Sequence, residues 1–224
     1  MINAVLFDLD GTLADTAPDL ALALNRLRAE EGMDELPADA VRAVASAGAR
    51  GMLGVGFGIT PEEWRFAELR DRFLEHYAAT VCVHTRLFDG MAELLQELED
   101  RSTRWGIVTN KAARFTLPLV AALGLDRRVA CVVSGDTTAR MKPAPDPLLF
   151  AASVIGLAPG ECLYVGDDLR DVQAAHAAGM GVLAASYGYL SGGDPHTWGA
   201  DGIIDHPLQV LNFLDESVRP PGAP

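Results

Sequence analysis

The chain has 224 residues, 49% of them apolar and 22% charged, with a formal net charge of −13 at pH 7. That length holds one or two domains with an ample core, and no apolar run is long enough to span a bilayer. The charge disfavours nucleic acid and anionic membrane as partners, because both carry phosphates that an acidic protein repels, so an anionic small molecule would need a local positive site.

The opening MINAVLFDLD has no basic n-region and no cleavage pattern, so no signal peptide is expected and the cytoplasm is the expected location. The apolar run Ala4–Phe7 stops abruptly at Asp8, and Asp10 follows two residues on. Alternate residues of a strand share a face, about 6.6 Å apart, and neighbouring carboxylates make each other harder to ionise. Stability alone does not explain such a pair; a cation or some chemistry should.

Residues 16 to 85 show no strand-like run. Pro18–Arg28, Ala38–Ala47 and Pro61–Ala79 read as amphipathic helices, with Leu20, Leu24 and Leu27 three or four apart. The rest alternates. Trp105–Val108, Val129–Val133, Cys162–Val165 and Gly181–Ala185 are continuous apolar runs, as strands buried on both faces of a parallel sheet should be. Helices fit between them: Lys111–Leu123 closed by Gly124, Pro147–Ile155 closed by Gly156 with Asp146 as N-cap, and Asp168–Ala178 closed by Gly179. The fold class is therefore α/β, a doubly wound Rossmann-like parallel sheet core formed by residues 1–15 and 86–224. Residues 16–85 form an all-helical subdomain inserted over the carboxyl ends of the strands, and 216–224 are a disordered tail. Cys82, Cys131 and Cys162 are odd in number and widely spaced, and read as small buried apolar residues rather than ligands or disulfide partners.

The strand ends carry the chemistry. Asp8, Asp10, Gly11 and Thr12 follow the first strand, Thr109, Asn110 and Lys111 the second, and Gly166, Asp167, Asp168 and Asp171 the fourth; Lys142 precedes the Pro147 helix. Asp8, Asp10 and Asp167 offer hard oxygen ligands suited to Mg²⁺. Thr109, Asn110 and the backbone N–H groups from Leu9 to Thr12 offer donors for a phosphate, and Lys142 offers a point charge. Only two lysines, Lys111 and Lys142, stand against sixteen arginines, and both fall at these loops. A cation and an ammonium between the two N-terminal carboxylates would explain why they tolerate each other.

Asp8-Leu9-Asp10-Gly11-Thr12, Val108-Thr109-Asn110, Lys142-Pro143 and Gly166-Asp167-Asp168 with Asp171 resemble, in order and placement, the four signature motifs of the haloacid dehalogenase-like phosphatase superfamily. The inserted helices resemble that superfamily's cap. At closer range the chain is similar to the phosphoglycolate phosphatase group, and within it to bacterial N-acetylmuramic acid 6-phosphate phosphatases, through SAGARGM, VHTRLFDGMAELL, YVGDDLRDVQAA, YGY and WGAD.

The resemblance implies an Mg²⁺-dependent phosphomonoesterase. Asp8 would be the nucleophile that forms an aspartyl-phosphate, and Asp10 the general acid and then base. Asp8, the Asp10 carbonyl and Asp167 would hold the metal; Asp171 would hold a metal-bound water, and Asp168 is either a helix cap or a further outer metal contact. Lys142 would assist catalysis and, with Gly11, Thr12, Thr109 and Asn110, bind phosphate. Arg50 in the Gly-rich AGARGMLGVGFG would grip a substrate carboxylate or sugar, or else be a solvated arginine at a helix end. His76 and His84 read as packing or surface residues. The expected partner is a small phosphomonoester, N-acetylmuramic acid 6-phosphate or 2-phosphoglycolate, taken by a monomer or homodimer. A hexose phosphate mutase and a non-catalytic phosphate-binding regulator are the alternatives. A dehalogenase would need neither Asp10 nor Asp167, and a Schiff-base phosphonate hydrolase needs a lysine in the insertion, which has none.

Overall fold

The structure, a computed structural model, describes residues 1–214; the predicted tail 216–224 lies outside them. Six parallel strands form the central sheet: β1 (Ala4–Phe7), β4 (Arg104–Val108), β5 (Cys131–Val133), β6 (Cys162–Gly166), β7 (Gly181–Ala185) and β8 (Gly202–Ile204), in the order β5-β4-β1-β6-β7-β8. The chain builds outward from β1 to β4 and β5, then returns to β6 on the other side. The carboxyl end of β1 is thus the topological switch point where open α/β sheets bind ligands.

Alternation explains why these strands read as unbroken apolar runs. Val5 and Phe7 enter a cluster on one face with α5 (Met91–Asp100) and α6 (Ala113–Ala122). Ala4 and Leu6 enter a second cluster on the other face with α7 (Asp146–Ile155) and α8 (Leu169–Ala178). A strand covered on both sides has no polar face to show.

Between β2 (Ala14–Asp15) and β3 (Arg86–Leu87) stand α1 (Ala17–Glu30), α2 (Ala38–Arg42), α3 (Gly48–Phe57) and α4 (Phe66–Ala79). Their apolar faces meet in a third cluster, joined by Phe115 of α6 and by Tyr189. The chain leaves at Asp15 and returns at Arg86, and these two residues pair in an antiparallel ribbon.

Several predicted boundaries move, each for a local reason. The helix predicted over 38–47 breaks after Arg42 into a turn and a short 3₁₀ segment, Ala45–Ala47, ended by Gly48 at φ 60°. The Gly-rich stretch after it is helical, as α3. The segment from Pro61 becomes helix only at Phe66. The run from Val129 becomes strand only at Cys131, because the Val129 N–H turns back to Leu125 O. Asp146 is the first residue of α7 rather than its cap, and its carboxylate pairs with Arg140 instead. Helix α5, with Met91, Leu94, Leu95 and Leu98 buried on one stripe, and strand β8 are additional to the predicted elements. The three cysteines are free; Cys131 and Cys162 are buried and Cys82 half-buried. Among the described residues no helix is long and apolar enough to cross a membrane.

Candidate active site

The strand ends converge as the sequence suggests. Asp8 follows β1 and its N–H donates to Val165 O of β6 at 2.9 Å; Thr109 follows β4 and its N–H donates to Val133 O of β5 at 2.9 Å. The ladders continue one residue past the strands and fix where these side chains start. A cleft of about 240 Å³ opens above them, lined by Asp8, Asp10, Thr109, Asn110, Lys111, Lys142, Asp168, Arg170 and Asp171 on the sheet side. Its far wall is Leu20 and the stretch Ala45 to Gly48.

Asp8 is the centre of the charge network. Its Oδ1 accepts the Leu9 N–H at 2.7 Å and lies 3.1 Å from Lys142 Nζ. Burial pushes its carboxyl up to about 6; Lys142 opposes the rise, and Asp171 and Asp10 add to it. The Lys142 ammonium is almost wholly buried. It donates to Asp171 Oδ1 at 2.7 Å, to the Tyr164 hydroxyl at 2.8 Å and to Val108 O at 3.1 Å. Burial works to lower its pKa, but Asp171 and Asp8 outweigh burial and the net shift is upward. These three oxygens and Asp8 Oδ1 surround the ammonium and hold its charge beside Asp8. Its main chain is held too: Asn110 Nδ2 donates to Lys142 O at 2.9 Å and Asn110 Oδ1 accepts the Lys142 N–H at 3.0 Å, beside a cis Lys142–Pro143 peptide.

Asp167 is fully buried, and burial, Asp8 and Asp171 hold its carboxyl well above the usual range. Oxygens of Asp8, Asp167 and Asp171 lie within 4.8 Å of one another. Three buried carboxylates at that distance, two of them hard to ionise, form a donor set that a divalent cation fits by charge and by ligand type. Asp171 also accepts from the Asp168 N–H at 3.1 Å, so it organises the loop as well as the cluster.

Asp10 sits at the cleft with Oδ1 accepting from Lys111 Nζ at 2.8 Å and from the Thr16 hydroxyl. The Lys111 ammonium lies 4.6 Å from the centroid of the Tyr77 ring of α4. Burial works against its charge, but Asp10 and Tyr77 raise its pKa overall. Asp168 resolves as a helix cap: its carboxylate accepts the Arg170 N–H at 2.9 Å, pairs with the Arg170 guanidinium and accepts the Ser191 hydroxyl. Burial opposes ionisation there, and these donors still hold it down to about 2.

Not every predicted residue meets the cleft. Gly11 and Thr12 stand behind it. The Gly11 N–H donates to Ala14 O and the Leu9 N–H to Asp8, so those two N–H groups are committed within the turn rather than to a phosphate. Gly11 has φ 87°, and a Cβ there would fall 2.2 Å from Asp167 Oδ2, so only glycine fits. Thr12 Oγ1 donates to Asp167 Oδ1 at 2.9 Å and positions that carboxylate. The Asn110 amide likewise holds the Lys142 loop. Thr109 is buried at the cleft with its Oγ1 accepting the Lys111 N–H at 3.2 Å. Arg50 is exposed on the first turn of α3 and outside the cleft lining. Its place among the cleft cations is taken by Arg170 and Lys111. The sequence signal for Lys111 is the rarity of lysine; Arg170 is one arginine of sixteen, and only its place within YVGDDLRDVQAA sets it apart. His76 pairs with Glu30 at the surface, and the backbone of His84 rests on Asp19.

The family model described as haloacid dehalogenase-like hydrolase matches residues 5–185. The chain is 43% identical over 218 residues to an N-acetylmuramic acid 6-phosphate phosphatase of Pseudomonas putida, covering 97% of this chain and 98% of that protein. It is 45% identical over 209 residues to a phosphoglycolate phosphatase of Xanthomonas campestris pv. campestris, covering 93% and 94%. The crystal structure of a predicted phosphoglycolate phosphatase from Haemophilus somnus superposes with a TM-score of 0.85 at 27% identity, covering 96% of this chain and 98% of that one.

Proposed function

The chain belongs to the haloacid dehalogenase-like hydrolase family, and on that premise we propose that it is a magnesium-dependent phosphomonoesterase of the cytoplasm acting on a small carboxylated phosphate ester. N-acetylmuramic acid 6-phosphate and 2-phosphoglycolate are the substrates to test first, since relatives similar over nearly the whole chain carry those two names. The observation that carries the reading is the pose of Asp8: a buried carboxylate at the floor of a small cleft, 3.1 Å from a fixed ammonium and beside a second acid, Asp10.

In this reading Asp8 attacks phosphorus and the bond to the leaving oxygen breaks. Asp10 delivers the proton that the leaving alkoxide needs, and then takes one from the water that cleaves the acyl phosphate. Lys142 keeps Asp8 oriented and its charge partly compensated. Phosphoryl transfer is served mainly by positioning and electrostatics, which suits a site whose side chains are so fully bonded. Asp8, Asp167 and the Asp10 carbonyl would hold Mg²⁺, with Asp171 behind them; when bound, the ion supplies positive charge against the phosphate dianion. Lys111 and Arg170 add positive charge where a substrate carboxylate would lie, and residues 16–85 would act as the cap that closes over the cleft. The volume of about 240 Å³ lies below the range typical of drug-sized ligands and favours a small ester.

A phosphate-release screen of the whole protein over small phosphomonoesters tests this. Release from one of the two carboxylated esters in preference to p-nitrophenyl phosphate, silenced by EDTA and restored by Mg²⁺, is the expected result. No release from any ester with Mg²⁺ present, or full activity in chelated protein, would overturn it.

A further inference from the structure

The segment Tyr187-Gly188-Tyr189, one residue after β7, takes no part in the chemistry above, yet each of its residues touches the loop after β1 or Asp167. The Tyr189 N–H donates to Asp167 Oδ2 at 2.8 Å, while Thr12 holds Oδ1 of the same carboxylate. A Cβ on Gly188 would fall 2.3 Å from Asp167 Cβ and 2.4 Å from Gly11 O, so no larger residue allows this approach. The Tyr187 hydroxyl donates to Thr12 O at 3.1 Å, and its ring packs on Phe88 at 5.1 Å between centroids.

The other end of Tyr189 reaches the root of the inserted helices. Its hydroxyl accepts the N–H groups of Thr16 at 2.7 Å and Ala17 at 2.8 Å, and donates to Asp15 Oδ1 at 2.7 Å. The first N–H groups of a helix have no partner within it. Thr16 stands at the N-cap position of α1 but makes no side-chain cap, its hydroxyl being turned to Asp10. A tyrosine from a different part of the chain supplies the missing acceptor. Asp15 is clamped in turn by both terminal nitrogens of Arg42 of α2, at 3.0 and 2.8 Å, and that guanidinium lies 5.6 Å from the Tyr189 ring centroid.

We propose that Tyr187-Gly188-Tyr189 is a positioning brace in which one residue, Tyr189, fixes the buried carboxylate Asp167 through its backbone and the root of α1 through its hydroxyl. The pose of the metal-side carboxylate and the seating of the helical insertion are then set together. Only the magnesium arm of the test rests on the function proposed above; the contact arm does not.

Two variants of the full chain separate the two ends. Tyr189→Phe removes the hydroxyl and keeps the N–H on Asp167; Gly188→Ala crowds Asp167 and keeps the hydroxyl. Hydrogen exchange of the Thr16 and Ala17 amides reports the root of α1, and calorimetric Mg²⁺ titration without substrate reports the carboxylates. Tyr189→Phe should speed exchange of both amides at least tenfold and leave the Mg²⁺ Kd within about twofold, whereas Gly188→Ala should weaken Mg²⁺ at least tenfold. In the wild type Mg²⁺ should slow exchange at Thr16 and Ala17, and Tyr189→Phe should abolish that response, because coupling through one residue is reciprocal and lost with it. Wild-type exchange at both amides in Tyr189→Phe would overturn the proposal, and this arm decides the matter even if Gly188→Ala does not fold. An Mg²⁺ response that survives in Tyr189→Phe would overturn it equally. Absence of any Mg²⁺ binding by wild type would instead sink the magnesium reading and leave the contact arm to stand alone.

Discussion

The two walls of the cleft differ in kind. The wall made by the ends of β1, β4 and β6 and the Lys142 loop carries all the ionic groups that line it; the opposite wall, from the inserted helices, offers Leu20, Ala45, Ser46, Ala47 and Gly48. On the ionic wall each charge has a fixed partner: Lys142 with Asp8 and Asp171, Lys111 with Asp10, Arg170 with Asp168. The difference separates two tasks. In the proposed reading, charge that must be held still through a reaction sits at the strand ends and the loops beside them, each group tied to a fixed partner. In the same reading, shape that would admit one ester and refuse another is left to small residues on a separate helical layer.

The largest effect should come from the centre of the ionic wall. Asp8→Asn is expected to reduce turnover to background, because an amide is no nucleophile, and circular dichroism should show an intact fold. Wild-type-like kcat would move the nucleophile elsewhere. Lys142→Ala comes next. Losing one preorganised electrostatic donor costs on the order of 3–4 kcal/mol in the barrier, and here it also strands Asp171, whose shortest ion pair is to Lys142 at 2.7 Å. Lys142→Arg should recover only part of kcat/KM, because a planar fork does not fit a pocket built for three short bonds to one nitrogen. Retention of more than about a tenth of wild-type kcat/KM in Lys142→Ala, under about 1.4 kcal/mol, would show that the ionic wall tolerates a gap at its best-bonded cation.

The contrast between the walls also explains what was legible in the sequence. Asp8, Asp10, Lys142 and Asp167 could be read because chemistry restricts their residue types and strand ends mark their positions. The sheet could be read because strands buried on both faces are apolar throughout. Of the two readings of Arg50, the exposed arginine at a helix end matches its place on the first turn of α3; the sequence alone leaves both open because an arginine among glycines also looks poised for a ligand. The Thr12 hydroxyl is bonded to Asp167 and the Asn110 amide to the Lys142 main chain, while Gly11 leaves room for Asp167; residue type announces a donor but not its recipient. YGY and the Arg170 of YVGDDLRDVQAA stand in the sequence only as short matches, and their roles stay hidden there because both act through contacts between segments far apart in the chain.

A third effect belongs to stability and has the opposite sign from the first. Burial raises Asp8 from an ordinary 3.8 to about 6. The unfolded chain gives up this proton near 3.8, whereas the folded, metal-free protein keeps it until about 6. Below the lower value Asp8 costs nothing; stability then falls as pH rises through the window, and above it the full cost of ionising Asp8 is in place, about 3 kcal/mol for a shift of this size. Asp8→Asn should therefore melt higher than wild type at pH 7 in EDTA, by about 6–12 °C for a chain of this length, and the gain should vanish near pH 4. Equal melting temperatures at pH 7 would mean that Lys142 compensates Asp8 fully and that the ionic wall carries no strain.

The smallest effects should lie where the walls meet. Arg170 stands on α8 of the ionic wall, and its Nη2 donates to Ser46 O of the helical wall at 3.1 Å. Its remaining bonds go to Asp168, and its charge also feels Asp171 and Asp8. Arg170→Gln removes the link across the cleft and one positive charge near the bound ester. About a tenfold rise in KM is expected for a carboxylated ester, about 1.4 kcal/mol, with a smaller change for p-nitrophenyl phosphate, which has no carboxylate. Arg50→Ala is the control from the helical wall. Arg50 is exposed, and the charge it acts on is Glu62, another surface group. Solvent screens an exposed charge of this kind, so KM and kcat should stay within about twofold. A tenfold KM change in Arg50→Ala, with none in Arg170→Gln, would reverse the assignment: the helical wall would then bring charge to the substrate, and the division between a wall that reacts and a wall that selects would fail on its own terms.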